Sequence, residues 1–124
     1  MSMLAAFSNQ FVSFFEDLSM TYPEEKDISL AYQTLKLMKQ ANPRLIHTVF
    51  MNVVDEDFSK NILEENEEYV IERAKNVLEK EYVNMSYIFR IFDTHWTTMS
   101  ETNKNHIWKY LKSLVLLAGK VPKA

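Results

Sequence analysis

Two histidine–tryptophan pairs are the first residues of this chain to consider for chemistry. His95 and Trp96 are adjacent, and Trp108 follows His106 by two residues in the stretch TTMSETNKNHIWKYL, residues 97–111. A histidine can serve as a general base or as a metal ligand. However, no two of the three histidines have the i, i+4 spacing by which a helix presents a metal-binding pair. We therefore interpret the four side chains as the seam where two helices meet.

The acidic stretch DEDFSKNILEEN, residues 55–66, partly matches a calcium-binding loop. Three oxygen-bearing side chains occupy loop positions 1, 3 and 5: Asp55, Asp57 and Ser59. Two other positions do not fit, because Lys60 stands where the sharp turn needs glycine and Asn66 stands where a bidentate glutamate closes the coordination shell. We predict a solvated loop between two helices and no calcium site.

The composition excludes several classes of chemistry. The chain has 124 residues, no cysteine and a single glycine, Gly119. The lack of cysteine removes disulfides, cysteine zinc sites, iron–sulfur clusters and thiol catalysis. Phosphate-binding loops, dinucleotide fingerprints and the nucleophile elbow all need glycines where the backbone approaches a ligand or adopts positive φ. We predict no enzymatic activity, no cofactor and no metal.

Spacing of apolar residues predicts the elements. Few glycines and prolines favour helices, because sheet proteins need many turns with positive φ, and apolar residues recur at three- and four-residue intervals. With 47% hydrophobic and 25% charged residues, the chain is typical of a globular domain. We predict an all-α fold, a compact single-domain bundle of five to six helices. The predicted helices lie near residues 3–20, 28–41, 43–54, 64–82, 85–99 and 101–118.

Local signals predict several helix ends. Asn42 followed by Pro43 is typical of an N-cap and first helical position. Ser100 is a suitable N-cap for the last helix, and Glu101 in its first turn complements the helix dipole. Gly119 is predicted to follow that helix in a left-handed conformation.

The second predicted helix has two apolar stripes. One contains Ile28, Ala31, Leu35 and Met38, and the other contains Leu30, Leu37 and Ala41. A helix that is apolar on more than one side is usually covered on more than one side. We therefore predict that this helix lies near the centre of the bundle.

A surface on the last helix is the candidate binding site. Leu116 points almost opposite the apolar stripe of that helix, and Trp108 lies at the edge of the stripe beside Lys109 and Lys112. An aromatic residue with basic neighbours suits a protein interface. The alternative is a central last helix in which Leu116 is covered by the first helix. On the first interpretation, Trp108, Lys109, Lys112 and Leu116 bind a protein partner.

Charge is unevenly distributed along the chain. Residues 51–68 carry seven acids against Lys60, and residues 91–124 carry five lysines against two acids. Such runs are usually solvated faces. The protein has a pI near 5.6 and no base-reading motif, so nucleic acid is an unlikely partner. The basic last helix leaves binding of nucleic acid as an alternative.

Nothing in the sequence predicts a membrane or a targeting segment. The longest purely aliphatic run, residues 114–118, has five residues, against the roughly 20 needed to cross a bilayer. The N-terminus lacks an early positive charge, and Ser2 cannot accept myristate. We predict an intracellular location without membrane association.

Three stretches resemble segments of known proteins: FFEDLSMTYPEEKDI (14–28), ANPRLIHTVF (41–50) and TMSETNKNHIWKYLKSLVLL (98–117). They are similar to segments of small helical proteins of unassigned function encoded by large nucleocytoplasmic DNA viruses, such as those of algae and amoebae. The resemblance covers most of the chain and carries no catalytic residues with it. It implies a viral protein in the host cytoplasm or nucleus, or packaged in virions, that acts on host or viral proteins.

Three functions follow from these observations. The leading hypothesis is a non-enzymatic protein-interaction or structural module that self-associates, for example as a homodimer. The alternative is weak binding of nucleic acid or another polyanion through the basic C-terminal helix. The least favoured is an enzyme that uses Asp93 with His95, or carboxylates within residues 55–68.

Overall fold

The structure is a computed structural model that describes residues 2–80 and 93–122. Within those ranges the chain is helical and has no strand, which confirms the all-α prediction. The helices are α1 (Met3–Thr21), α2 (Lys26–Ala41), α3 (Pro43–Val53), α4 (Glu56–Leu63), α5 (Glu67–Lys80) and α6 (Glu101–Lys120). Residues 93–96 are also helical and lead into a turn before α6.

The core lies where α1, α3 and α6 meet the turn before α6. Phe7 and Leu114 are its most deeply buried large side chains, at 0% and 1% exposure. The Phe7 ring meets the Phe50 ring edge-on, with centroids 5.1 Å apart. The other buried members of the cluster are Phe14, Ile46, Trp96, Ile107, Trp108, Ala118 and Val121. Aromatic side chains from distant parts of the chain therefore form one continuous interior.

Short polar side chains start four of the described helices. The side chains of Ser2, Asp55, Asn66 and Ser100 each accept a hydrogen bond from a backbone N–H in the first turn of the following helix, which satisfies a donor that the helix itself leaves free. The Ser100 cap is as predicted. Pro43 begins α3 as predicted, but Asn42 makes no side-chain cap.

The prediction of a loop at residues 55–66 was wrong, because most of this stretch forms α4. Phe58 and Ile62, four residues apart, are 5% and 2% exposed and bury one face of the helix. The acidic residues that suggested a loop favour a helix start, where they complement the dipole. The helix predicted from residue 64 begins instead at Glu67.

The prediction that α2 is central was also wrong. Ile28 is the buried residue of α2, whereas Leu30 and Leu37 are 57% and 67% exposed. One stripe of α2 faces α1 and α3. The other stripe faces solvent, because none of the described elements covers it.

Two further helix ends differ from their predictions. Gly119 lies inside α6, which continues to Lys120 and ends at Val121, and its φ is not positive. Buried Val121 and the following Pro122 end the helix instead. The helix predicted at 85–99 falls largely outside the described residues, and the part described ends at Trp96.

A left-handed residue separates α4 from α5. Glu65 has φ of 54° and is the non-glycine residue with positive φ in the described ranges. The N–H of Glu65 donates to the Ile62 carbonyl, and the N–H of Asn66 donates to the Asn61 carbonyl. This pair of bonds is the Schellman motif, whose left-handed position is usually glycine.

Replacing Leu114 tests the core. Leu114→Ala removes a side chain that is 1% exposed, so we expect a loss of about 2 to 5 kcal/mol in the free energy of unfolding. Urea denaturation followed by circular dichroism measures it. Leu116→Ala is the matched control, since Leu116 lies two residues further along the same helix, on the opposite side, at 55% exposure and should change stability by no more than about 0.5 kcal/mol. Equal losses would contradict the assigned burial.

Replacing Glu65 tests the turn between α4 and α5. Glu65→Gly and Glu65→Ala both delete the carboxylate, but only glycine adopts positive φ without steric cost. We therefore expect the glycine variant to be more stable than the alanine variant by about 1 kcal/mol, measured by urea denaturation. The reverse order, which holds in a helix interior, would show that residue 65 is not left-handed.

Candidate functional site

The two tryptophans form the predicted seam between the turn before α6 and α6 itself. Trp96 and Trp108 are 4% and 7% exposed, and their rings meet edge-on with centroids 6.1 Å apart. The Trp96 indole N–H donates to the Glu67 carboxylate, and the Lys104 ammonium lies 5.0 Å from the centre of the Trp96 ring. His106 is exposed on α6. The tryptophans therefore serve packing.

The predicted surface on α6 is only partly exposed. Trp108 belongs to the core, so it does not contribute to the outer face of α6. Lys112 is half-buried and pairs with the Glu65 carboxylate. Lys109 and Leu116 are exposed, so the alternative in which α1 covers Leu116 is wrong. Partner binding through this surface stays a prediction.

The acidic residues at the start of α4 are engaged within the protein. Asp55 caps α4 by accepting from the Phe58 N–H at 2.8 Å. Its other carboxylate oxygen lies 3.0 Å from the Arg73 guanidinium on α5. Because residues 56–63 are helical, the side chains at the proposed loop positions do not follow the course of a calcium loop.

A histidine–glutamate cluster lies at the turn between α1 and α2. Glu25 is the N-cap residue of α2, yet its side chain does not cap that helix. Its Oε1 instead lies 2.9 Å from His95 Nε2, and the Tyr22 ring lies against the His95 imidazole with centroids 4.0 Å apart. One carboxylate oxygen of Glu24 completes a set whose ligand atoms all lie within 4.8 Å of one another. This is a set of donors to which a divalent cation can bind.

Sequence reasoning missed this cluster. The sequence pairs His95 with Asp93 as a candidate site, but Asp93 is exposed. In the structure His95 contacts Glu25, which is 70 residues away in the chain. No spacing rule connects residues so far apart. Two features bring them together. One is the turn at Pro23 after α1, which the sequence does predict, and the other is the packing of residues 93–96.

A cleft of about 320 Å³ opens between the C-terminal half of α1 and the N-terminal half of α6. On its wall, the Tyr110 hydroxyl donates to the Asp17 carboxylate. The pKa of Tyr110 is raised to about 12, mainly because the hydroxyl is desolvated by burial and to a smaller extent because of this hydrogen bond. The hydroxyl therefore stays protonated near neutral pH and ties α6 to α1 instead of acting as a base.

A second cavity, of about 400 Å³, is lined almost entirely by apolar side chains from all six named helices and the turn before α6. A ligand site normally adds a few converging polar groups to such a wall. Here the lining has next to no polar surface. We therefore assign no ligand to this cavity.

An exposed apolar surface lies on α2. Leu30 and Leu37 are 57% and 67% exposed, and Thr34 and Ala41, at the intervening and following turns of the same stripe, are also exposed. We call these four residues the α2 face. The polar residues beside it over the last two turns are uncharged glutamines, Gln33 and Gln40.

Comparison of the chain with protein-family models, with curated proteins and with solved structures finds no match. The resemblance to helical proteins of large DNA viruses therefore stays a prediction. Among the described residues, no helix is both long enough and apolar enough to cross a bilayer.

The raised pKa of Tyr110 gives a prediction in alkali. The unfolded tyrosine releases its proton near pH 10 and the folded one near pH 12, so the stability that this group contributes is fully present below pH 10 and is lost as the pH rises toward 12. Urea midpoints measured across this range should fall more steeply in the wild type than in Tyr110→Phe. Parallel curves would contradict the assignment.

Proposed function

We propose that the protein is a non-enzymatic protein-interaction module that self-associates through the α2 face. The observation that carries this proposal is the exposure of Leu30 and Leu37 on one stripe of a single helix. Scattered exposed leucines are common on soluble proteins, but Leu30 and Leu37 lie two turns apart on one stripe, with the exposed Thr34 on the turn between them, and so belong to a single strip along the helix. Covering such a strip on association removes apolar area from water.

The spacing of the α2 face suits a second copy in antiparallel orientation. Leu30 and Leu37 are seven residues apart, about 10 Å along the helix axis. If two α2 helices cross antiparallel with Thr34 near the midpoint, Leu30 of one copy lies beside Leu37 of the other. The same contact then occurs twice, as a two-fold interface requires.

Charge along the chain favours the same orientation. Residues 24–27 carry Glu24, Glu25 and Asp27 against Lys26, a net charge of −2, whereas residues 36–44 carry three cations and no acid. The Lys39 ammonium donates to Asn9 Oδ1 on α1 and points away from the α2 face, so Lys36 and Arg44 supply the basic end. An antiparallel pair places each acidic end beside a basic end, whereas a parallel pair places like charges together. The helix dipoles also oppose one another in the antiparallel arrangement.

The polyanion alternative has less support. Of the lysines on α6, Lys104 lies against the Trp96 ring and Lys112 pairs with Glu65. Lys109 and Lys120 are exposed, but two separate lysines in a chain of net charge −3 form a small electrostatic footprint for nucleic acid.

Sedimentation equilibrium tests the proposal. The wild type should show a concentration-dependent mass between that of one chain and that of two, and Leu37→Glu should weaken association at least about tenfold, because it places a charge in the apolar centre of the interface. Leu30→Glu should have a similar effect.

Leu116→Glu is the matched control, since it places the same charge at a similarly exposed leucine on α6. It should leave association unchanged. A monomer at all concentrations would overturn self-association. Dissociation by Leu116→Glu but not by Leu37→Glu would move the interface to α6.

A further inference from the structure

We propose that Glu24, Glu25 and His95 bind a divalent transition-metal ion, with Zn²⁺ as the best fit. The proposal is tested separately from self-association, although Glu24 and Glu25 also belong to the acidic end of the proposed dimer contact. It depends on the convergence of one imidazole nitrogen and two carboxylate oxygens from two places in the chain.

The separations are close to those of a zinc site. The three ligand atoms lie within 4.8 Å of one another, and His95 Nε2 and Glu25 Oε1 are 2.9 Å apart. In a tetrahedral zinc site with bonds of about 2.1 Å, ligand atoms are about 3.4 Å apart. The histidine–glutamate pair must therefore open by about 0.5 Å, a movement that rotation of the Glu25 side chain supplies.

The three ligands differ in how firmly they are held. The His95 imidazole is fixed by the Tyr22 ring against it, and its side chain is 21% exposed. The Glu25 side chain is 29% exposed. Glu24 is exposed and comes from the adjacent residue of the turn. Two partly buried ligands and one exposed ligand leave a fourth position for water.

The donor types select among metals. A histidine nitrogen favours zinc and its neighbours over magnesium and calcium, which take oxygen ligands. The two carboxylates supply a charge of −2 that balances a divalent cation.

A bound ion would join two distant parts of the fold. It would connect the turn between α1 and α2 to the turn before α6, which are 70 residues apart. Because the unfolded chain does not hold these ligands together, binding must favour the folded state. The expected signature is a rise in melting temperature with Zn²⁺ concentration.

Isothermal titration calorimetry with ZnCl₂ and thermal melts in the same buffer test the site. The wild type should bind one Zn²⁺ per chain and melt at a higher temperature in its presence. His95→Ala should lower the affinity at least about tenfold and abolish the shift. Glu24→Gln removes an exposed ligand without disturbing the packed residues, so its loss of affinity would not reflect misfolding.

His106→Ala is the matched control, because His106 is exposed on α6 and lies outside the cluster. It should bind zinc as the wild type does. Titration with MgCl₂ should give at least about tenfold weaker binding. Wild-type affinity in both His95→Ala and Glu24→Gln, or no one-to-one binding by the wild type, would overturn the proposal while leaving the oligomeric state, and thus the proposed function, untouched.

Discussion

The packing of α1 against α6 is the contact on which the rest of the structure depends. Phe7 from α1 and Leu114 from α6 are almost completely buried, and α3 closes the core through Phe50 and Ile46. A buried hydrogen bond between His47 Nε2 and the Ala118 carbonyl, 3.0 Å long, links α3 to the last turn of α6. These contacts join the two ends of the chain, so the core cannot form from either half alone.

The surface features follow from that arrangement. Since α1 and α6 occupy the centre, α2 is left with one packed stripe and one open stripe. The turn between α1 and α2 lies at the C-terminal end of α1, and the turn before α6 lies at the N-terminal end of α6. Because α1 packs against α6, the two turns meet and bring His95 to Glu25. Both proposed binding regions are thus consequences of how the centre is filled.

Apolar periodicity predicted most of the fold, because a buried helical stripe leaves a three- and four-residue pattern that the sequence displays directly. Ser100 and Pro43 marked helix starts for local steric and hydrogen-bonding reasons. The pattern failed at α4, where the buried pair Phe58 and Ile62 is too short a signal within an acidic stretch. It also failed at α2, since periodicity shows which sides are apolar but not which of them a neighbour covers.

The candidate sites were harder to predict than the helices. Trp108 looked like an interface residue because position on a helical wheel does not determine depth, and depth depends on Trp96 and the other elements of the core. The cluster at His95 depends on residues that only tertiary packing brings together. For Leu116 the sequence left two alternatives open, exposure or coverage by α1, and its 55% exposure agrees with the first.

The position of Gly119 has a wider consequence. The chain's single glycine lies within a helix. Apart from its two neighbours in the chain and the backbone of its own helix, no atom lies within 4 Å of the place that a Cβ would occupy. The described backbone therefore has no place where the absence of a side chain is required. Even the left-handed turn is built on a glutamate. The described fold therefore does not depend on glycine, and every one of its positions can carry a side chain.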